Sequence, residues 1–286
     1  MMFEAGIRLR DVQRKSVQAL KGAGVENAAL DVRYLLAAAL KIDMARLIAS
    51  DDKKLDEASS AQFSNMIEAR LSGIPVHRIL GYREFYGRRF HFGEGCLEPR
   101  PETELLVERV LQDVDSDKQV IFCDVGVGSG AIINTLLAEL SNAKAIGTDL
   151  SPAALRFARR NAELYGVSDR IDLIETDCLE GVTEKFNFIT SNPPYIRSAD
   201  IESLSKEVQG HDPMLALDGG EDGLYFYRKL LREAGRCLQR NGKLYMETGH
   251  GQHSDIALIA KQMGWGIVSL HLDLSGLERI VVLQLN

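Results

Sequence analysis

The sequence predicts an α/β protein in which a parallel sheet is covered by helices on both faces, preceded by a small helical bundle and a linking β-hairpin. Three observations predict it. From Gln119 onward, short apolar strand patterns alternate with helical ones, the order that builds a parallel sheet with helical crossovers. Residues 1 to about 75 carry helical periodicity instead. Between the two, from Arg78 to Glu98, aromatics and glycines take over (RILGYREFYGRRFHFGEGCLE), with strand-like alternation broken at Gly87 and Gly93.

These divisions set expected boundaries of 1–77 for the helical domain, 78–98 for the hairpin and 99–286 for the α/β domain. In the first, apolar stripes in Val17, Leu20, Ala28 to Leu40, and Phe63, Met66, Ile67 and Leu71 imply four or five short helices, punctuated by Gly22, Gly24 and the polar stretch Ser50 to Lys54. After the hairpin, Pro99-Arg100-Pro101-Glu102-Thr103-Glu104 opens a helix, with proline near its first position and carboxylates in its first turn. Then come strand QVIFCDVG, helix AIINTLLAEL, strand AKAIGTDL, helix PAALRFARRNAELYG, strand RIDLIETD and strand FNFIT. An irregular stretch to about Asp218 follows. Helix Asp222 to Leu238, strand Gly242 to Thr248, helix Ser254 to Met263 and the strands IVSLHLDL and ERIVVLQL close the chain.

The 286 residues and 45% hydrophobic content suit one large and one small domain. Apolar runs fall short of a membrane span, and the charged N-terminus has no secretory h-region, so a cytoplasmic protein is expected. Cys96, Cys123, Cys178 and Cys237 form no C-x-x-C pair and read as buried or free thiols. The formal charge of −7 argues against a protein that coats nucleic acid. Through residue 85 there are 13 Lys+Arg against 11 Asp+Glu, so the acidity lies in the remainder.

Asp124-Val125-Gly126-Val127-Gly128-Ser129-Gly130 follows the first strand of the α/β region and precedes a helix, the context of a nucleotide-binding glycine turn. The spacing is G-x-G-x-G, one residue short of the dinucleotide fingerprint, and no P-loop lysine is present. Asp149 ends the next strand about 20 residues on, where a carboxylate can take both ribose hydroxyls. The combination points to an adenosyl ligand without a pyrophosphate. S-adenosylmethionine fits, because Asp124 and its acidic setting suit ammonium and sulfonium groups and would repel a diphosphate. The alternatives are a plain tight connection for the glycines and a helix cap for Asp149, although Ser151 fills the capping role better. Cys178 lines the adenine pocket on this reading, or is a small buried residue.

Asn192-Pro193-Pro194-Tyr195 stands at the end of FNFIT. Two prolines remove two N–H donors and leave carbonyls, making a stiff loop of acceptors with an aromatic beside it. Such a loop can hold a planar –NH2 group by its hydrogens, with the Tyr195 ring over the flat face. A strand ending in a Pro-rich turn is the plainer alternative. In a doubly wound sheet this loop meets the glycine turn beyond the carboxyl ends of the strands. If the Asn192 side-chain oxygen and the Pro193 carbonyl each accept an N–H, an amide or exocyclic amine nitrogen is aimed at the methyl of the cofactor, with no metal required. Phe85 and Tyr86 could close the pocket, Tyr86 more readily being hairpin core. Glu102 and Thr103 could approach the sulfonium, or simply start a helix. His250 and His253 form H-x-x-H without further ligands and read as solvated, and His211 and His271 suggest nothing stronger.

With these residues assembled, the chain resembles the peptide chain release factor N5-glutamine methyltransferases of the HemK/PrmC type. Beyond the glycine turn and Asn-Pro-Pro-Tyr, the resemblance rests on Ile79-Leu-Gly-Tyr with Glu84-Phe-Tyr-Gly, on Pro99 to Glu104, on Asp212 to Gly223 (DPMLALDGGEDG), on Gly249-His-Gly-Gln252, and on Asp273 to Arg279 (DLSGLER). It implies a Rossmann-like class I methyltransferase sheet of seven strands, the last antiparallel, and an N-terminal helical domain that helps grip a protein substrate. It implies methylation of the glutamine amide in the Gly-Gly-Gln loop of class 1 release factors; no direct nucleic-acid partner, no membrane and a monomer are expected besides. By motif match Gly126 to Gly130 and Asp149 carry the cofactor, with Asp124, Thr103, Cys178 and Asn192 beside it. Asn192, Pro193, Pro194 and Tyr195 hold the glutamine, and Phe85 lines its pocket. Many relatives carry Thr in place of Val127, and some an aromatic in place of Cys178. The rival expectation is a nucleic-acid methyltransferase acting on an exocyclic amine of adenine or guanine. A non-catalytic cofactor sensor is a second rival, though a sensor would not need the acceptor loop.

Overall fold

The structure, a computed structural model, describes residues 2–50 and 53–286. It divides into two compact units, one ending at Gly81 and the other running from Tyr82 to Asn286. Each is held by its own apolar interior.

Among the described residues the first unit has five helices: α1 (Leu9–Gly22), α2 (Ala28–Leu40), α3 (Met44–Ile48), α4 (Glu57–Leu71) and α5 (Val76–Leu80). Two of them start at aspartate caps: Asp43 accepts from the Arg46 N–H and Asp56 from the Ser59 N–H, both at 2.7 Å, satisfying donors that the first helical turn leaves open. Their apolar stripes meet in a core of Leu9, Val12, Leu20, Val32, Leu35, Leu36, Phe63 and Ile67. Inside it Arg70 donates to Asp31 at 2.7 Å, both side chains under a tenth exposed. A buried charge pair of this kind is costly to break, because removing either partner strands the other. Arg78 to Leu80, read from sequence as the start of the hairpin, form the end of α5. Gly81, in the left-handed region at φ 73°, stops that helix.

The second unit opens with the antiparallel hairpin β1 (Tyr82–Phe85) and β2 (Arg88–His91). Tyr86 and Gly87 both have positive φ (51° and 68°), the tight turn whose twist matches a two-stranded ribbon. A single 3-10 turn, Pro101–Thr103, leads into α6 (Glu104–Asp113). The chain then winds β3 (Val120–Val125), α7 (Ala131–Glu139), β4 (Ala143–Asp149), α8 (Pro152–Leu164), β5 (Ile171–Glu175) and β6 (Phe186–Ser191). After an irregular stretch containing the short α9 (Lys206–His211) come α10 (Tyr225–Cys237), β7 (Leu238–Glu247), α11 (His253–Gln262), β8 (Trp265–Leu272) and β9 (Glu278–Leu285).

The seven strands lie in the order β5-β4-β3-β6-β7-β9-β8. Pairing is parallel from β5 to β7, and β9 alone runs the other way, inserted antiparallel between β7 and β8. This is the expected sheet with its last strand reversed. Alternation along the central strands sends Phe122 and Phe188 to one face, where their rings stack 4.8 Å apart, and Cys123 and Ile189 to the other. Strands buried on both faces read as largely apolar runs, as QVIFCDV and FNFIT do apart from Asn187 and their ends. The strand order reverses between β3 and β6, and the loops leaving these two strands face one crevice.

Candidate active site

The crevice is a cavity walled by the ends of four strands and by the segment leading into α6. From β3 come Gly126, Val127, Gly128 and Ser129; from β4, Asp149 and Ser151; from beyond β5, Asp177 and Cys178; from beyond β6, Asn192, Pro193 and Pro194. Phe85 of the hairpin and Arg100 and Thr103 before α6 complete that wall, and Phe226 and Leu230 of α10 add an apolar side. The residues assigned to cofactor and glutamine by motif match are thereby brought together, with three exceptions: Asp124, Gly130 and Tyr195 do not line the cavity, and neither do Tyr86 and Glu102, the further residues considered for its wall.

Each exception has a physical reason. Asp124 lies within β3 and is fully buried; it accepts from the Thr190 hydroxyl at 2.8 Å across the β3–β6 pair, and its other oxygen has no partner. Burial pushes its carboxyl up to about 7. Gly130 is a packing glycine: a Cβ there would stand 2.4 Å from the Asn134 side chain and 3.1 Å from the Ala158 backbone, where α7 approaches α8. Tyr195 is half-buried against the apolar layer under α10 and α11, with a ring carbon 3.0 Å from where a Gly249 Cβ would be. Burial, then Glu247, raises its hydroxyl to about 12, so it is neutral throughout the physiological range.

The glycine turn is shaped by Asp149. Its two oxygens accept from the Gly128 and Ser151 N–H groups, each at 2.8 Å, joining the loop after β3 to the start of α8. Ser151, not Asp149, caps that helix by accepting from the Ala154 N–H. Gly126 sits at φ 74° with open space where a side chain would go, which leaves backbone facing the cavity. Val127 and Ser129 are buried at the turn, 4% exposed each. Cys178 also adopts a positive φ, 54°, uncommon for a residue with a Cβ, and burial lifts its thiol to about 12, so it is a neutral lining group.

The acceptor loop is held from three sides. The Ser191 hydroxyl donates to the Val125 carbonyl at 2.8 Å, tying the end of β6 to the end of β3. The Asn192 Nδ2 donates to Thr103 Oγ1 at 3.0 Å, and Thr103 Oγ1 donates to Glu247 Oε2 at 2.5 Å. Gln252 donates to the carbonyls of Tyr195 and Gly223 at 3.1 and 3.3 Å while its Oε1 accepts from the Gly249 N–H at 2.9 Å. Gly219 lies against the same loop, where a Cβ would stand 2.8 Å from the Tyr195 Cα.

Glu247, Gln252 and Asp177 were not singled out from sequence. Asp177 pairs with Lys229 at 2.5 Å through Oδ2, while its Oδ1 is buried without a partner on a residue that lines the cavity. The available signals were a carboxylate closing the apolar strand KLYME and one closing RIDLIETD, both at carboxyl ends of strands. His253, expected to be solvated, is instead 4% exposed as the first residue of α11, its backbone N–H donating to Glu278 and its ring kept neutral by burial.

A sheet with one reversed strand and a glycine turn lacking a P-loop lysine define a class I S-adenosylmethionine-dependent methyltransferase. Comparison with known proteins agrees and goes further. A family profile described as the PrmC N-terminal domain matches residues 11–81, and one described as a methyltransferase small domain matches residues 99–208. The chain is 42% identical over 254 residues to a release factor glutamine methyltransferase of Bradyrhizobium diazoefficiens, covering 88% of this chain and 86% of that one. It is 40% identical over 279 residues to the protein of the same name from Cereibacter sphaeroides, covering 98% and 99%. Among solved structures, a methyltransferase from Pyrococcus furiosus shares the fold, with a TM-score of 0.53 at 18% identity over 77% of this chain and 98% of that one. The chain belongs to the release factor glutamine methyltransferase family.

Its cofactor is S-adenosylmethionine, and the residues present fit that group. The open space over Gly126 lets backbone approach a ligand, and the unpartnered Asp177 Oδ1 can accept from a donor such as an exocyclic amine. Asp149 keeps lone pairs for hydroxyls beyond the two N–H groups it already accepts. Among the described residues no helix is long and apolar enough to cross a membrane, and no cluster of His, Cys, Asp and Glu could hold a metal ion.

Proposed function

We propose that the protein methylates the side-chain amide nitrogen (N5) of the glutamine in the Gly-Gly-Gln loop of class 1 peptide chain release factors. The observation that carries this reading is that Asn192, Pro193 and Pro194 wall the same cavity as the glycine turn. Acceptor and cofactor loops thus share one space. When bound, S-adenosylmethionine supplies an electrophilic methyl group with a thioether leaving group.

The chain's own contribution is to hold and to orient. An amide nitrogen is a weak nucleophile because its lone pair is delocalised into the carbonyl. Asn192 Oδ1 and the Pro193 carbonyl accept one N–H each, which fixes the rotation of the glutamine carboxamide and raises electron density on its nitrogen. Prolines suit the task because they cannot donate and cannot flex about φ. Phe85, 1% exposed, and the side of α10 carrying Phe226 and Leu230 keep water from the reacting nitrogen. Tyr195, whose ring packs away from the cavity, steadies the loop instead, with its carbonyl pinned by Gln252.

Asn192→Ala tests the assignment. Loss of about 10²-fold or more in kcat with cofactor affinity retained is expected, the size of effect that follows removal of one oriented hydrogen-bonding group. Undiminished turnover would refute it.

A further inference from the structure

Three side chains join the acceptor loop to the interior of the sheet, Asn192 half-buried and the inner two, Thr103 and Glu247, buried. Asn192 follows β6 and Glu247 ends β7. The register pairs Ser191 with Met246, so these two residues are neighbours across the strands. Thr103 comes between them from the turn before α6, 5% exposed, and Glu247 is 1% exposed. Glu247 does not line the cavity, whereas Thr103 and Asn192 do.

We propose that Thr103 and Glu247 are positioning residues that fix which end of the Asn192 carboxamide faces the acceptor. This rests on the reading that Asn192 presents its oxygen to a substrate N–H. A carboxamide can be turned by 180° at little steric cost, and only its hydrogen bonds decide between oxygen and nitrogen. With Glu247 ionised, the one hydrogen of the Thr103 hydroxyl goes to its carboxylate. The hydroxyl oxygen can then only accept, so it holds the Asn192 Nδ2 and leaves Oδ1 on the opposite corner. Were the Thr103 hydrogen free, it could donate to Oδ1 instead and turn the amine end outward, where it would repel an incoming –NH2.

The pair therefore acts on catalysis through the orientation of Asn192. Burial raises the Glu247 carboxyl to about 7; the Thr103 hydrogen bond, Arg279 on β9 and Arg100 pull it back toward the charged form, Glu102 opposes them, and the neutral Tyr195 and Tyr227 hydroxyls also face it.

Exchange of the Asn192 carboxamide protons with water, followed by NMR and assigned by their loss in Asn192→Asp, tests the arrangement on the full-length protein alone. One proton is expected to exchange about tenfold or more slowly than its partner, as a proton in a buried hydrogen bond does. Thr103→Val should abolish that difference and lower kcat about tenfold or more, and Thr103→Ser should recover most of the loss. Equal exchange of the two protons in the parent protein overturns the proposal. So does a Thr103→Val enzyme with parental kcat, or one that loses cofactor affinity alone. A slow proton in a protein that fails to methylate a release factor would refute the proposed substrate and leave the positioning pair standing.

Discussion

Burial rather than pairing governs Asp124. Its carboxyl is raised from 3.8 to about 7, first by desolvation, with the Thr190 hydroxyl pulling the other way and Asp149 adding to the rise. A group with a higher pKa folded than unfolded binds its proton more tightly in the folded state. Its contribution to stability is therefore complete below about pH 4 and lost as pH rises through about 7. Asp124→Asn cannot ionise and should gain in Tm relative to the parent between about pH 5 and about pH 8, followed by thermal unfolding at each pH. A difference in Tm that is constant across that range contradicts the burial argument. The sequence places Asp124 beside the cofactor from its position at the end of an apolar strand, but does not show that the carboxylate turns away from the cavity. Whether a strand-end side chain faces the ligand or the interior depends on the pairing of β3 with β6, which connects residues 66 positions apart.

At the scale of elements, the glycine turn separates two functions that look alike in sequence. Gly126 has open space beside it, so Gly126→Ala should weaken cofactor binding, measured by calorimetry, with strain limited to about 1–2 kcal/mol from its positive φ. Gly130 also has positive φ, but a Cβ there meets Asn134 and the Ala158 backbone. Gly130→Ala should therefore cost more stability, about 2–4 kcal/mol by denaturant unfolding, because strain and overpacking add. Equal stability losses in the two variants would show that packing of α7 on α8 does not depend on the third glycine. The turn itself was legible because its signal is local, a strand, three glycines and a helix in unbroken succession. The cradle around Tyr195 was not legible, since Gln252 reaches carbonyls 57 and 29 residues away and backbone acceptors leave no trace in side-chain identity. The motif runs containing Gly219, Gly223 and Gly249 were visible as resemblance. Their reason emerges only in three dimensions, where each lies too close to the acceptor loop or its Gln252 brace to carry a side chain. For similar reasons α5 was missed, because its single turn, VHRIL, is shorter than any periodicity can reveal.

Over the whole molecule, each unit encloses its own apolar interior, and every residue that lines the cavity lies in the second. A protein lacking residues 1–81 is accordingly expected to keep cofactor affinity while showing a raised KM for a release factor, by titration and steady-state kinetics. An unchanged KM would remove the helical unit from substrate recognition. The same division explains what the sequence conveyed at this scale: a change from helical periodicity to strand–helix alternation is visible without knowing any contact. The acceptor was the part the cavity left open, since a base amine and a glutamine amide present the same planar –NH2, and membership of the family favours the amide. The most direct test is to incubate the protein with methyl-labelled S-adenosylmethionine and, separately, a release factor, DNA and RNA, then to map the label by mass spectrometry. One methyl on the Gly-Gly-Gln glutamine, absent with Asn192→Ala, is predicted; label on a nucleic-acid amine with none on the release factor would contradict the account.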